Sequence, residues 1–304
     1  MSSADPPKGD ATPRKREPIR GPEPAQAEPG LHVVSTPIGN LRDITLRALD
    51  TLAAADEVLA EDTRNARRLL DAHGLSAKLT AYHDHNGAAR RPELLEKLRA
   101  GAAIALISDA GTPLVSDPGW KLVRACLDAG VKVIPVPGAS ALLAGIVAAG
   151  LPSDRFMFAG FPPAKPGARK ALFQDLSAVP STLVFYEGAP RLAASLADMS
   201  AVFGAEREAA VARELTKLFE ETRRGNLDEL SAYYSEHGAP KGEIVVLVGP
   251  PEAAAASEAD LDTALADALS RLPVKEAAAE VAEALNLPRR AAYQRALALK
   301  RDDG

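Results

Sequence analysis

The chain has 304 residues, 46% hydrophobic and 25% charged, with a formal charge of −5; this is enough for two cores of ordinary domain size and too acidic for a protein that coats nucleic acid through many Lys and Arg contacts to phosphate. Any RNA site must then be a local basic patch. The single cysteine, Cys126, excludes an internal disulfide, and no apolar run reaches the roughly 20 residues of a membrane helix, so a cytoplasmic protein without a membrane anchor is expected.

Residues 1–30 hold seven prolines and balanced charges, with Ile19 as the one branched aliphatic before Leu31. Such a stretch cannot bury a core and lacks the apolar region of a secretory signal, so a disordered tail is expected. From Leu31 short apolar runs alternate with longer amphipathic segments, the pattern of strands and helices around a mostly parallel sheet. Strands are predicted near 31–36, 57–61, 79–82, 103–108 and 131–136, and helices near 45–55, 63–73, 88–100 and 118–129. Gly74 and Gly130 are placed to cap the second and fourth helices. A second unit begins near Leu151-Pro152, with strand-like runs at 156–160, 182–186, 208–213 and 243–249. Beyond Pro250-Pro251 the chain is alanine-rich, and 274–285 and 289–300 read as helices around Asn286-Leu287-Pro288. The chain thus divides into a tail (1–30), an α/β domain (31–150), a second α/β domain (151–250) and a helical extension (251–304).

In an open parallel sheet ligands bind beyond the carboxyl ends of the strands, which selects the loops at 35–40, 61–64, 83–86, 108–119 and 137–140. The richest is Ser108 to Gly119: Gly111 and Gly119 permit close backbone approach, whereas Pro113 and Pro118 fix the path. A plainer use of its end is that Asp117 caps the next helix and Pro118 starts it. Neither G-x-x-x-x-G-K-[ST] nor G-x-G-x-x-G is present, which disfavours nucleoside triphosphates and dinucleotides. A ligand with adenine, ribose and a sulfonium but no phosphate suits such loops, and S-adenosylmethionine has those properties.

Six strings in order, Thr36-Pro37-Ile38-Gly39-Asn40-Leu41, Glu61-Asp62-Thr63-Arg64, His83-Asp84-His85-Asn86, Ser108 through Gly119, Leu151-Pro152-Ser153-Asp154-Arg155-Phe156 and Ala212-Arg213-Glu214-Leu215-Thr216-Lys217, resemble the tetrapyrrole-methylase-like, or class III, methyltransferases. Within that family the resemblance is to the branch that acts on small-subunit ribosomal RNA. It implies two α/β domains, the second with a mixed sheet, a homodimer, and S-adenosylmethionine as cofactor in the cleft between domains. The implied activity is 2′-O-methylation of a cytidine ribose in the decoding region of 16S ribosomal RNA, free or in the assembled subunit. By the same resemblance the cofactor contacts Pro37, Ala110, Gly111, Thr112, Pro113, Val115, Ser116, Gly138, Ala139 and Ser140, with Tyr186 and Ala212 closing over it. Tetrapyrrole-modifying relatives open with a more glycine-rich first loop, so a porphyrinoid substrate is disfavoured. Ser35 stands where the family pattern has a proline, a departure expected to touch none of the chemistry-bearing residues.

Methyl transfer from a sulfonium chiefly requires alignment and exclusion of water, and a group that takes the 2′-hydroxyl proton helps. Asp62, His83, Glu214 and Lys217 are the candidates. Lysine serves as a base only where its pKa is lowered, and Asp62 has a simpler use as a helix cap. His83 and His85 lack further metal-ligating neighbours, so no metal is expected. Arg64, Arg67, Asn86, Arg289, Arg290 and Arg295 are candidate RNA contacts; the arginines of the last two helices sit in a helix-turn-helix outline, which is also a common packing unit. Two other readings stand beside this one: a methyltransferase for a tetrapyrrole or protein side chain, and a nucleic-acid-binding regulator that senses a small ligand.

Overall fold

The computed structural model describes residues 27–252, 258–285 and 287–302; residues 1–26 of the expected tail and Asn286 of the expected turn lie outside them. Five strands, β1 (Gly30–Val34), β2 (Glu57–Ala60), β3 (Leu79–Ala81), β4 (Ala103–Ile107) and β5 (Val133–Val136), form an all-parallel sheet in the order β3-β2-β4-β1-β5. Strand residues alternate between two cores, as the two-residue period of a sheet buried on both faces demands. Val34, Val58, Ala60, Ala105 and Ile107 meet α1 (Leu46–Ala54) and α2 (Thr63–Ala72). Leu31, Leu59, Ile104 and Leu106 meet α3 (Gly87–Arg99) and α4 (Trp120–Asp128) on the other face. β1 and β4, neighbours in the sheet, therefore lead into helices on opposite faces, and the loops beyond their carboxyl ends part around a crevice.

Gly74 and Gly130 cap their helices as expected, each at positive φ (67° and 70°). The amide of the following residue reaches back to Leu70 in one case and Cys126 in the other, which satisfies carbonyls that the helix end leaves open. The helix expected from residue 118 instead starts at Trp120, with Gly119 (φ 130°) at its N-cap and no side-chain cap. A Cβ on Gly119 would stand 2.8 Å from Leu106 Cδ2, so the chain turns there only with glycine. Asp117 is thereby released from capping.

The second sheet has the order β6-β7-β10-β8-β9, from β6 (Phe156–Gly160), β7 (Thr182–Gly188), β8 (Glu208–Arg213), β9 (Glu221–Asn226) and β10 (Glu243–Val248). Only β6 and β7 run parallel, so the sheet is mixed. β9 was not anticipated: Glu221-Thr222-Arg223-Arg224-Gly225-Asn226 has no apolar alternation and is an edge strand held by β8 alone. Helices α6 (Pro166–Leu176), α7 (Leu192–Phe203) and α8 (Leu227–His237) cover one face around Phe173, Phe185 and Leu196. Between α6 and α7, Arg169 makes two hydrogen bonds to Asp198 at 2.8 and 2.5 Å, the arginine side chain being only 5% exposed.

The other face of this sheet is covered by α5 (Ala141–Ala149), the helix that follows β5 of the first sheet. Ile146 and Ala149 pack with Ala210, Ala212, Val245 and Leu247, and Gly145 admits Val245 so closely that a Cβ would stand 3.0 Å from its Cγ1. The helix that leaves the first sheet thus packs on the second, and its N-terminus opens the site described below. The C-terminal extension is three helices: α9 (Glu258–Arg271), not anticipated, then α10 (Val274–Ala284) and α11 (Arg289–Asp302) around a core of mostly alanine. Among the described residues no helix is long and apolar enough to cross a membrane.

Candidate active site

Three loops meet at the carboxyl ends of β4, β1 and β5. Thr36 and Gly111 exchange backbone hydrogen bonds (2.9 and 3.1 Å) as an isolated antiparallel bridge. The Thr112 hydroxyl binds the Ser35 hydroxyl at 3.0 Å and donates to the Ala139 carbonyl at 3.3 Å, so one side chain ties all three loops. Ser35, expected to be a bystander, is thus part of this tie. Its small side chain also leaves room for Gly138, where a Cβ would stand 3.0 Å from Ser35 Cβ.

Beyond this tie, Leu114 and Ser116 hold positive φ (73° and 66°), a conformation costly for side chains other than glycine and stored where a site requires a particular shape. The loop lines a cavity of about 410 Å³, within the range of small-molecule sites. Of the cofactor contacts that the resemblance implies, Ala110, Gly111, Thr112, Val115, Ser116 and Ser140, with Tyr186 from β7, line it. Tyr186 is braced edge-on by Phe158 and Phe161 at centroid distances of 4.8 and 5.5 Å. Ser140 is the N-cap of α5 but caps no amide with its side chain, leaving that helix start open to the cavity. The other suggested contacts stand further back: Pro113 is buried in the loop, Gly138 and Ala139 support Ser35 and Thr112, and Ala212 is buried in β8 beside Val245.

Sequence reasoning missed Ile38, Asp109, Asp117, Phe161, Leu215 and Glu243 in this lining. Two of them lie in the loop singled out earlier, yet which of its residues turn inward depends on Gly119. Burial above all, then the neighbouring charges of Glu61 and Asp109, pushes the Asp117 carboxyl up to about 6. Burial and the charges of Asp109 and Asp84 likewise raise Glu61.

A second cavity of about 310 Å³ lies next to the first and is lined by Pro37, Gly39, Asn65, Arg68, Ile107, Ser108 and Lys217 among others. Ile38, Asp109, Ala110 and Glu243 line both. Lys217 reaches across from the β8–β9 loop and bonds Glu214 at 2.8 Å and Glu243 at 3.0 Å. Its stem lies over Gly39 and Glu214 lies over Gly242; a Cβ on either glycine would land on these side chains. Glu214 and Thr216 hold positive φ (51° and 66°), a second strained loop opposite the first.

The four expected proton acceptors differ in their surroundings. Burial acts to lower the Lys217 ammonium, but the hydrogen bonds to Glu214 and Glu243 outweigh it and raise the pKa, so Lys217 is a fixed cation. The Lys217 contact holds Glu214 below the usual carboxylate range. Asp62 caps α2 through the Arg64 amide (2.8 Å) and pairs with the Arg64 guanidinium (2.7 Å), whose hydrogen bonds hold it at about 2. His83 lines neither cavity; its Nδ1 is buried without a partner.

The expected RNA contacts divide similarly. Arg67 and Arg68 are exposed on α2, whereas the Arg64 guanidinium is engaged by Asp62. Asn86 accepts from the His83 amide and donates to the Ala81 carbonyl, which shapes its own loop. On α11, Arg289 and Arg290 are exposed, but Arg295 makes a two-pronged bond to Asp262 of α9 (2.6 and 2.6 Å). Among the described residues no group of three His, Cys, Asp or Glu side chains is placed to hold a metal ion.

Residues 30–231 match the tetrapyrrole (corrin/porphyrin) methylases, and residues 255–300 match the RsmI C-terminal HTH domain. Relatives named ribosomal RNA small subunit methyltransferase I include the protein of Mesorhizobium japonicum, 53% identical over 91% of this chain and 94% of its own length. That of Synechocystis sp. is 44% identical over 90% and 99%, and that of Escherichia coli O157:H7 is 47% identical over 88% and 94%. Among solved structures, a cobalt precorrin-4 methyltransferase superposes with TM-score 0.54 at 18% identity, covering 72% of this chain and 94% of that one. Diphthine synthase does so with TM-score 0.56 at 16% identity, covering 72% and 89%. At such identities these structures speak for the fold. The two matched segments, in the order and at the identity found over nearly the full relatives, establish that the chain belongs to the tetrapyrrole methylase family, in its ribosomal RNA small subunit methyltransferase I group.

Proposed function

We propose that this chain transfers the methyl group of S-adenosylmethionine to the 2′-hydroxyl of a cytidine ribose in the decoding region of small-subunit ribosomal RNA. One observation carries the reading: the strained loop from Ala110 to Asp117 lines the 410 Å³ cavity where three strand ends of the parallel sheet converge. The cavity fits the donor. Ile38, Val115, Phe161, Leu215 and Val245 give apolar walls, Thr112, Ser116 and Ser140 give hydroxyls, and Asp109 and Asp117 place negative charge where a cationic ligand is held. Gly111, at φ 79° with Ile38 Cγ2 only 3.3 Å from where a Cβ would stand, keeps the wall thin.

S-adenosylmethionine supplies a methyl group already activated by the sulfonium. What the chain supplies is alignment and a dry cavity. Tyr186 and Phe161 form a wall from the second sheet, while the Lys217 ion pairs fasten the β8–β9 loop to the start of β10 and its stem packs on Gly39 of the first strand's loop. Exposed Arg67 and Arg68 on α2 and Arg289 and Arg290 on α11 are the phosphate contacts, positioning RNA without reading its bases. The protein works in the cytoplasm as a homodimer; Val147, Leu218 and Phe219, at 85%, 90% and 67% exposure, are large apolar side chains of the kind that mark an interface.

Calorimetry with S-adenosylmethionine, followed by labelled methyl transfer into isolated small subunits, tests this reading. Saturable donor binding and label in ribosomal RNA are expected. Label in protein, or none in RNA, overturns it.

A further inference from the structure

The four residues common to both cavities are where a methyl group must pass from donor to acceptor, and two of them are carboxylates. Glu243 is committed to Lys217 at 3.0 Å. Asp109 forms no ion pair among the described residues; one oxygen accepts the Asp62 amide (3.2 Å) and the other the Asn65 side-chain amide (2.9 Å). It is exposed at the mouth of both cavities. An ionised carboxylate accepts about four hydrogen bonds, so two directions remain open.

The second cavity has the chemistry of a nucleotide site. Its about 310 Å³ is again in the small-ligand range. Arg68 stands in its wall with Arg67 exposed one residue away on the same helix, a cationic edge for a phosphate, while Pro37, Leu41, Leu69 and Ile107 give an apolar interior for a sugar or base.

We infer that the second cavity receives one extruded ribonucleotide of a single-stranded RNA segment, and that Asp109, at the wall it shares with the donor cavity, accepts the 2′-hydroxyl proton. The inference rests on the proposed reaction and adds its acceptor site and its base. As the 2′-oxygen forms its bond to the methyl carbon, the carbon–sulfur bond breaks with its electron pair returning to sulfur, and the hydroxyl proton passes to Asp109 and from there to water. Lys217 stands at the far wall as a cation that holds the loop after β1, with no proton to take up.

Asp109→Asn keeps the shape and can still accept from Asp62, so folding is checked by melting and donor binding by calorimetry. In single turnover with saturating small subunits and S-adenosylmethionine, the variant is expected to lose about 100-fold or more in rate with donor affinity within twofold of the parent. Arg68→Ala should weaken subunit binding, and unchanged binding counts against the cavity as the nucleotide's site. A parent enzyme that methylates ribosomal RNA while Asp109→Asn turns over at a near-normal rate overturns this inference and leaves the proposed function standing. A parent that methylates no RNA overturns the function itself.

Discussion

Replacing Gly111 by valine tests the donor site at its narrowest point. Gly111 sits at φ 79°, where an L side chain costs about 1–2 kcal/mol and a β-branched one is an outlier. Relaxing the backbone breaks the two Thr36–Gly111 hydrogen bonds, each contributing about 1 kcal/mol. A new Cβ would also stand 3.3 Å from Ile38 Cγ2. A distortion of about 2–4 kcal/mol is below the 5–15 kcal/mol that holds a folded protein together, so the chain stays folded with its loop displaced. Binding must then restore the loop, and at about 1.4 kcal/mol per tenfold the donor's Kd rises between about 30-fold and several hundred-fold. Gly111→Ala, without the branch, falls at the low end. Calorimetry with parallel melting measures both. Unchanged affinity in a folded Gly111→Val would show that this loop is not the donor's wall.

Lys217→Met removes the cation that joins Glu214 to Glu243 while keeping most of the stem that packs on Gly39; single-turnover methylation should fall with donor affinity kept, and an unchanged rate would remove Lys217 from the reaction. Asp117 binds its proton up to about pH 6 when folded against an ordinary value of 3.8. The folded state therefore loses stability as pH rises from about 4 to about 6, by no more than about 3 kcal/mol and by less because the group is only partly buried. Asp117→Asn should flatten that slope in melting curves, and an unchanged slope would remove Asp117 as its source. Asp198→Ala strands the buried Arg169 charge and should cost about 3–5 kcal/mol of stability, read as a lowered melting temperature in a protein whose donor affinity is intact.

The parallel sheet was legible because β1, β2 and β4 carry the apolar signature of two buried faces and each loop interrupts it with glycine, proline or polar residues. Gly74 and Gly130 marked two helix ends for the same local reason, a left-handed residue that only glycine adopts cheaply. What escaped was what lies outside that pattern. α5, Ala-Leu-Leu-Ala-Gly-Ile-Val-Ala-Ala, is apolar on its exposed side as well, at Leu143 and Val147, so it shows no helical period. β9 is polar on both faces because it is an edge strand. The site divided in the same way: the Ser108 to Gly119 loop could be placed from its position after a strand, and Ala110 to Ser116 within it from the resemblance, but Glu243 meets Lys217 across 26 residues of chain, and nothing local announces it. The two carboxylates that fix Lys217 as a cation decide its chemistry, and one of them was invisible. Asp109 was inside the singled-out loop; its importance comes from lying between two cavities, a relation that sequence spacing does not carry.

The central claim is tested most directly by mapping 2′-O-methylation along small-subunit ribosomal RNA from cells in which the gene for this chain is deleted, before and after it is restored. The account predicts that one cytidine ribose in the decoding region loses its methyl group in the deletion and regains it with the parent gene, but not with Asp109→Asn or Gly111→Val. An identical methylation map with and without the gene would contradict it.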